Sequence, residues 1–272
     1  MKILLLDGYN LIYRARYSFK QGDHPTIYSF FRSLRPLVEK FDPDFVYFVT
    51  EGYPASRYEI LPEYKASRVR DDDPSFSEQK KQIISILKSS FPVAVCRHPN
   101  YECDDVIASL VRYRHSADEC VVVSSDTDFI QLYNTCANVS IYNPVRKNIV
   151  PAPGYDYVTW KSLRGDASDN IKGIRGIGDK RATKLVSDTE KLASFLSADS
   201  ARREIFERNM SLISFIDLSD QLDVLEVSTS TPDWDGVKKI FDDLGFNSIT
   251  NQKSWLKFQN TFSRLGNATH KN

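Results

Sequence analysis

The chain has 272 residues, 41% of them hydrophobic, enough for a sizeable core and too many for a wholly disordered polypeptide. Its 36 Lys and Arg balance 36 Asp and Glu, so net charge alone cannot draw it to nucleic acid; basic side chains would have to be segregated from acidic ones. Cys96, Cys103, Cys120 and Cys136 form no C-x-x-C pair, and the apolar run at the start is too short for a signal or membrane helix. The expectation is a cytoplasmic protein with reduced thiols and no membrane contact.

In chain order, Ile3 to Leu6 reads as a buried parallel strand. It ends at Asp7-Gly8, setting a carboxylate at the strand tip where open α/β sheets bind ligands. Asn10 to Tyr17, with Arg14 and Arg16, leads into a helix over Tyr28 to Lys40. Phe45 to Val49 is a second buried strand, ending at Thr50-Glu51. Tyr53 to Asp73 is polar, lacks a period and carries Arg57, Tyr64, Lys65, Arg68 and Arg70. Ser77 to Ser90 has the pattern of an amphipathic helix, and Val93 to Cys96 that of a short strand.

Tyr101-Glu102-Cys103-Asp104-Asp105 opens another helix. Val121 to Ser125 is a third long strand, ending in Asp126-Thr127-Asp128, and Val139 to Asn143 with Asn148 to Val150 reads as a hairpin. Pro151, Pro153 and Gly154 mark a boundary, beyond which the pattern is helical and Trp234 to Leu244 forms a late helix. The division is residues 1–157 as an α/β core and 158–272 as a helical region.

Acid therefore arrives repeatedly at what should be one sheet edge: Asp7, Glu51, Glu102, Asp104, Asp105, Asp126 and Asp128, followed by Asp166 and Asp169 at helical spacing. Carboxylates gathered in one cleft repel, and most stay ionised only if divalent cations compensate them. Hard oxygen donors without neighbouring His or Cys favour Mg²⁺ or Mn²⁺. Cys96, His98 and Cys103 lack the spacing and the fourth ligand of a zinc site. Directly after Asp169 comes a glycine-punctuated turn, Gly173, Gly176 and Gly178, and then helical Lys180 to Val186. Such a turn brings backbone amides and a helix N-terminus to a phosphate. Lys172, Arg175, Lys180, Arg181 and Lys184 add salt-dependent attraction to a nucleic-acid backbone without reading its sequence. An acidic cluster joined to a sequence-blind backbone grip points to a metal-dependent nuclease.

Five ordered motifs carry a resemblance over nearly the whole chain. They are Leu6-Asp7-Gly8 with Arg14; Leu61-Pro62-Glu63-Tyr64-Lys65 with Arg68; Tyr101 to Asp105; Ser125 to Asp128; and Gly165 to Asn170 running into Gly173 to Lys184. The chain resembles the 5′ nucleases: flap endonucleases, phage 5′–3′ exonucleases and the 5′-nuclease domain of bacterial DNA polymerase I. The resemblance implies a PIN-like core with a mainly parallel sheet flanked by helices. It adds a helical arch about residues 60–90 and a C-terminal helix–hairpin–helix-like (H3TH) DNA clamp.

By that likeness Asp7, Glu102, Asp104 and Asp126 serve a first Mg²⁺ (or Mn²⁺), with Asp105 close by, and Asp128, Asp166 and Asp169 a second. Lys65 and Arg14 face the scissile phosphate, Tyr64 stacks near it, Arg68 belongs to the same catalytic set, and the clamp can hold K⁺. The family's second strand ends in Asp; here either Glu51 replaces it through a longer arm or that ligand is missing. The implied activity is hydrolysis of DNA, or RNA paired to DNA, at a 5′ end or flap. A monomer acting on flap, nicked or RNA-primed duplex in replication or repair is expected, in the host cytoplasm if the chain is phage-encoded. The rival readings are a non-catalytic branched-DNA-binding module of the same fold and a ribonuclease of the PIN-like class.

Overall fold

The computed structural model describes residues 1–18, 22–68 and 73–265. Continuous apolar runs become the central strands: β1 (Lys2–Asp7), β2 (Phe45–Val49), β3 (Ala94–Arg97), β4 (Glu119–Val123) and β5 (Val139–Asn143). All five are parallel in the order β5-β4-β1-β2-β3. β6 (Asn148–Ile149) closes one edge as the expected hairpin partner of β5, and β9 (Glu226–Ser228) pairs antiparallel with β3 at the other. Because successive side chains face opposite sides of a strand, Leu4 and Leu6 enter one hydrophobic layer while Ile3 and Leu5 enter the other. A sheet covered on both faces explains why its strands read as unbroken apolar runs rather than alternating ones.

The chain runs outward from β1 through β2 and β3, then crosses back to β4 beside β1. That reversal leaves a crevice beyond the carboxyl ends of β1 and β4, where doubly wound sheets place ligands. Gly8 sits at its floor: a Cβ there would lie 2.5 Å from the Val49 carbonyl oxygen, so a side chain would force the ends of β1 and β2 apart.

Helices α1 (Gly8–Arg16), α2 (Pro25–Phe41), α3 (Ala55–Ile60), α4 (Pro74–Ser90), α5 (Cys103–Ser109) and α6 (Tyr157–Arg164) fill the connections. Helix α4 begins three residues earlier than its apolar periodicity predicts, because Asp73 caps it by accepting from the Ser75 and Phe76 amides and Pro74 presets its first turn. Phe76, Ile83, Ile86 and Leu87 of α4 are buried in the core. The arch expected over residues 60–90 therefore does not extend along α4, which is seated on the sheet; residues 69–72, including Arg70, lie outside the described residues. The aperiodic stretch after Tyr53 contains α3, a helix too short to show a period.

Beyond α6 come a two-strand hairpin, β7 (Gly165–Asp166) with β8 (Ile171–Lys172), and helices α7 (Asp179–Val186), α8 (Thr189–Ser197) and α9 (Ser200–Ile213). These helices have a small core of their own around Leu163, Ile177, Ala182 and Leu185. The last stretch, with α10 (Trp234–Asp243), α11 (Asn247–Thr250) and α12 (Gln252–Phe262), returns to the main core, where Phe241, Phe258 and Phe262 pack with Phe31 and Phe91. Among the described residues no helix is long and apolar enough to cross a membrane.

Phe91 is the hinge of that packing: its buried ring lies 5.2 Å from Phe31, 5.5 Å from Trp234 and 5.3 Å from Phe262. Phe91→Ala should cost about 3–5 kcal/mol in urea unfolding, whereas Leu256→Ala on the exposed side of α12 should stay within about 0.5 kcal/mol.

Candidate metal centre

The strand ends deliver their carboxylates to one place. Asp7, at the tip of β1, is 8% exposed and caps α1 by accepting from the Asn10 amide. Its other oxygen accepts from the Ser124 hydroxyl at 2.7 Å, at the end of β4. Asn10 fastens the two strand ends together: its amide group donates to the Ser125 hydroxyl at 2.8 Å and accepts from the Ser125 backbone at 3.1 Å. Glu51, just past β2, accepts from the Cys103 amide at 2.9 Å. A cleft of about 810 Å³ is lined by Asp7, Glu51, Glu102 and Asp126 together with Arg14, Lys65 and Arg68.

Beneath this cleft lies a buried guanidinium. Arg57 of α3 is 2% exposed, and its Nη1 donates to Glu102 Oε2 and Asp105 Oδ2, both at 2.6 Å, while Nη2 donates to Asp105 Oδ1 at 2.8 Å. Its Nε donates to the Leu212 carbonyl of α9 at 3.1 Å. Glu102 caps α5 in a reciprocal capping box with Asp105. Lys65 Nζ contacts the remaining Glu102 oxygen, Oε1, and the Tyr64 hydroxyl lies 2.9 Å from Glu102 Oε2 and 3.2 Å from Asp169 Oδ2.

A second hollow of about 160 Å³ adjoins the first, sharing Asp126 and Arg68 and adding Asp128, Asp166 and Asp169. Lys161 of α6 is 5% exposed and stands between two of these acids, contacting Asp128 and lying 2.5 Å from Asp166. Arg68 contacts Asp169.

Charge and burial set the ionisation. Burial pushes Asp7 and Asp126 up, Asp104 well up with Asp105 beside it, Glu51 to about 7, and Asp128 to about 6 with help from Asp126. Burial acts the same way on Glu102 and Asp166, but lysine and arginine neighbours outweigh it. Glu102 ends below the ordinary range through Lys65 and Arg57, and Asp166 falls to about 2 through Lys161. Desolvation opposes the Lys65 ammonium, yet Glu102 and Asp169 raise its pKa overall.

Asp7, Glu51, Asp104, Asp126 and Asp128 are thus the carboxylates pushed toward protonation, Asp128 even beside Lys161, and added positive charge would relieve them. The donors are hard oxygens, with atoms of Glu102, Asp104 and Asp105 all within 4.8 Å of one another. This chemistry fits hard divalent cations.

The structure brings Asp7, Glu51, Glu102, Asp126, Asp128, Asp166 and Asp169 to the two hollows, and it corrects three expectations. The Tyr64 ring is 4% exposed, so it is not free to stack on a substrate; its hydroxyl lies between two carboxylates instead. Asp105 is wholly buried and accepts from Arg57 and from the Ile216 amide, which turns it into an anchor beneath the cleft rather than a group lining it. Gly173 serves internal packing, since a Cβ there would lie 2.0 Å from the Arg164 carbonyl. Gly176, at φ +79°, and Gly178, which faces open space at the start of α7, are the glycines that expose backbone. Lys172, Arg175, Lys180, Arg181 and Lys184 are all exposed on this side.

Arg14, Tyr9 and Tyr13 line the larger cleft. Lys161, Ser124 and Asn10 are not among the site residues expected from the sequence, and Arg57 is expected there only as one basic side chain of a polar stretch. Only Lys161 offered a signal, a lysine on the helix leading into Asp166.

Residues 2–158 match the family described as 5′-3′ exonuclease, N-terminal resolvase-like domain. A 5′-3′ exonuclease of Mycoplasmopsis pulmonis is 31% identical over 205 residues, covering 70% of this chain and 68% of that protein. The chain belongs to the 5′-3′ exonuclease family. A thermostable DNA polymerase I of Thermus filiformis is 27% identical over 280 residues, 92% of this chain but 33% of the polymerase, so the chain spans about a third of that relative. Two bacteriophage T5 structures share its fold: a protein co-crystallised with metal ions, at TM-score 0.66, 21% identity and coverage of 95% and 99% of the two chains, and a flap endonuclease complex with DNA and metal ions, at TM-score 0.67, 19% identity and coverage of 95% and 100%. The architecture is that of the 5′ nucleases, a PIN-like α/β core with a helical C-terminal region.

Arg57 is the residue whose loss the centre should tolerate least. Arg57→Met leaves Asp105 buried without its cation and Glu102 with Lys65 alone, and should cost about 3–5 kcal/mol in chemical unfolding. Arg57→Lys should recover only part of that, because an ammonium cannot reproduce the fork that grips both carboxylates.

Proposed function

We propose that this chain is a structure-specific 5′ nuclease, hydrolysing phosphodiesters of DNA, or of RNA paired to DNA, at a 5′ end or flap. The observation that carries the reading is the convergence of carboxylates from three strand ends, α5 and the β7–β8 hairpin on two adjoining hollows, next to an exposed basic surface. Asp7, Glu102, Asp104 and Asp126, with Glu51 at the margin, would hold one divalent ion; Asp128, Asp166 and Asp169 would hold another. Divalent ions bound by these residues would supply a lowered pKa for the attacking water and positive charge for the developing negative charge on the leaving oxygen.

The chain's own residues do the rest. Lys65, Arg14 and Arg68 present cationic groups at the cleft wall and would orient the phosphate. Exposed Lys172, Arg175, Lys180, Arg181 and Lys184, with the amides around Gly176 and Gly178, would bind the duplex backbone beyond it and position the 5′ end. A K⁺ ion on backbone carbonyls of that turn belongs to the same reading. The bacteriophage T5 flap endonuclease was solved with DNA and metal ions, which supports it. Primer removal in replication, or repair of branched DNA, would be the setting, with Mg²⁺ the cofactor and the protein acting as a monomer.

The test is product mapping on a 5′-labelled flap duplex. Cleavage should require Mg²⁺ or Mn²⁺, stop with EDTA and resume on adding metal. Asp126→Asn should lower turnover by roughly a thousandfold or more while branched-DNA affinity persists. Full turnover by that variant would remove the metal-centre assignment, and binding without cleavage by the wild type would leave a non-catalytic branched-DNA module. Lys65→Ala should slow single-turnover cleavage about ten- to a hundredfold with little change in affinity. An unchanged rate would take Lys65 out of the chemistry.

A further inference from the structure

Two residues that are not glycine adopt the left-handed backbone at the edge of the cleft, Lys65 at φ 58° and Asn170 at φ 60°. They lie on different loops, one carrying Lys65 and Arg68 and the other Asp166 and Asp169. Each loop donates to the other's backbone: the Lys65 amide donates to the Asp169 carbonyl at 3.0 Å, and Asn170 Nδ2 donates to the Glu63 carbonyl at 2.9 Å. We propose that Asn170 is a positioning residue for Lys65, its side-chain amide tying the two loops into one rigid unit that sets where the Lys65 ammonium stands. The proposal rests on the nuclease reading above, because only there is Lys65 part of the chemistry.

The geometry favours this role over a direct one. Asn170 does not line either acidic hollow. Its bond to Glu63 lies two residues before Lys65, so it fixes the backbone from which the flexible lysine stem departs toward Glu102. Asparagine suits the position because it tolerates the left-handed region and presents an N–H group to a carbonyl. Glycine would keep the turn and lose the donor. Aspartate would keep the size and place an oxygen against the Glu63 oxygen. A small displacement at a group acting on the reacting phosphate is amplified in rate, since productive geometry is narrow.

The experiment uses the full chain, a 5′-flap duplex and Mg²⁺ under single-turnover conditions. Asn170→Gly should slow cleavage about tenfold or more while its DNA dissociation constant stays within about twofold. Asn170→Asp should be similarly slow. Because Asn170 acts through Lys65, adding Asn170→Gly to Lys65→Ala should slow cleavage no further than Lys65→Ala alone. Independent, multiplying losses would overturn the proposal, as would full rate in Asn170→Asp. Loss of affinity at unchanged rate would assign Asn170 to direct DNA contact through the outer hollow it shares with Arg164 and Gly173, and would overturn it equally. Trypsin supplies a readout without DNA: cleavage after Lys65 should accelerate in both Asn170 variants. If it does while the wild type cuts no DNA, the tether stands and the nuclease reading falls; if it does not, the tether falls.

Discussion

Mutual repulsion among carboxylates is the constraint around which this fold is built. Two like charges about 4 Å apart repel by roughly 4 kcal/mol near a protein surface, and here Asp7, Glu102, Asp126, Asp128, Asp166 and Asp169 share adjoining hollows. The chain holds them with internal cations of two kinds. Arg57, planar and buried, fixes Glu102 and Asp105 from below and ties them to α9. Lys65 and Lys161 are flexible, reach the acids from the side and touch oxygens that a divalent ion would also seek. The first kind is architecture. The second rests on an ammonium at the end of a four-carbon stem, a compact charge without the fixed fork of a guanidinium.

The sheet was legible because burial on both faces leaves an unbroken apolar run at each strand, and Asp7, Glu51 and Asp126 were placed at one edge by parallel topology alone. Helix starts were less legible. Asp73 and Pro74 cap and begin α4 before its apolar stripe starts, so periodicity alone dates the helix too late. At the motif of α5, Glu102 is the residue that caps the helix, while Lys65 and Arg57 take its oxygens.

What stayed hidden in the site are the partners of the acids. Arg57 lies in a stretch with no periodicity, where an arginine reads as a solvated charge; only three-dimensional closure against α9 shows it buried. Tyr64 sits in a motif that the family likeness made catalytic, and burial limits it to holding Glu102 and Asp169. Ser124 and Asn10 are short polar residues at strand ends, a pattern shared with ordinary turns, and nothing local distinguishes a residue that locks two strands together. Sequence spacing thus reveals groups that repeat a chemical theme, whereas groups that answer that theme from distant positions appear only when the chain is folded.

Neutral net charge conceals a segregation of acid from base. Acid is concentrated in the crevice at the carboxyl edge of the sheet, and base on the exposed turn and helix after β8, from Lys172 to Lys184. A polyanion approaching the whole molecule meets no long-range attraction, so its capture must come from the basic surface within a Debye length of about 8 Å at physiological salt. On the nuclease reading, a phosphate backbone held there would face a crevice that repels it unless cations intervene. The hairpin of β7 and β8 is therefore the part of the chain where attraction and repulsion are joined covalently: Asp166 and Asp169 belong to the crevice, and Lys172 on the next strand belongs to the grip. Just after β8, Gly173 packs so closely on the Arg164 carbonyl that a Cβ would approach it to 2.0 Å. On the proposed nuclease reading, a grip joined to the acid in this way would let a sequence-blind contact choose one position along a uniform phosphate chain, because distance from the end can be read even where bases are not.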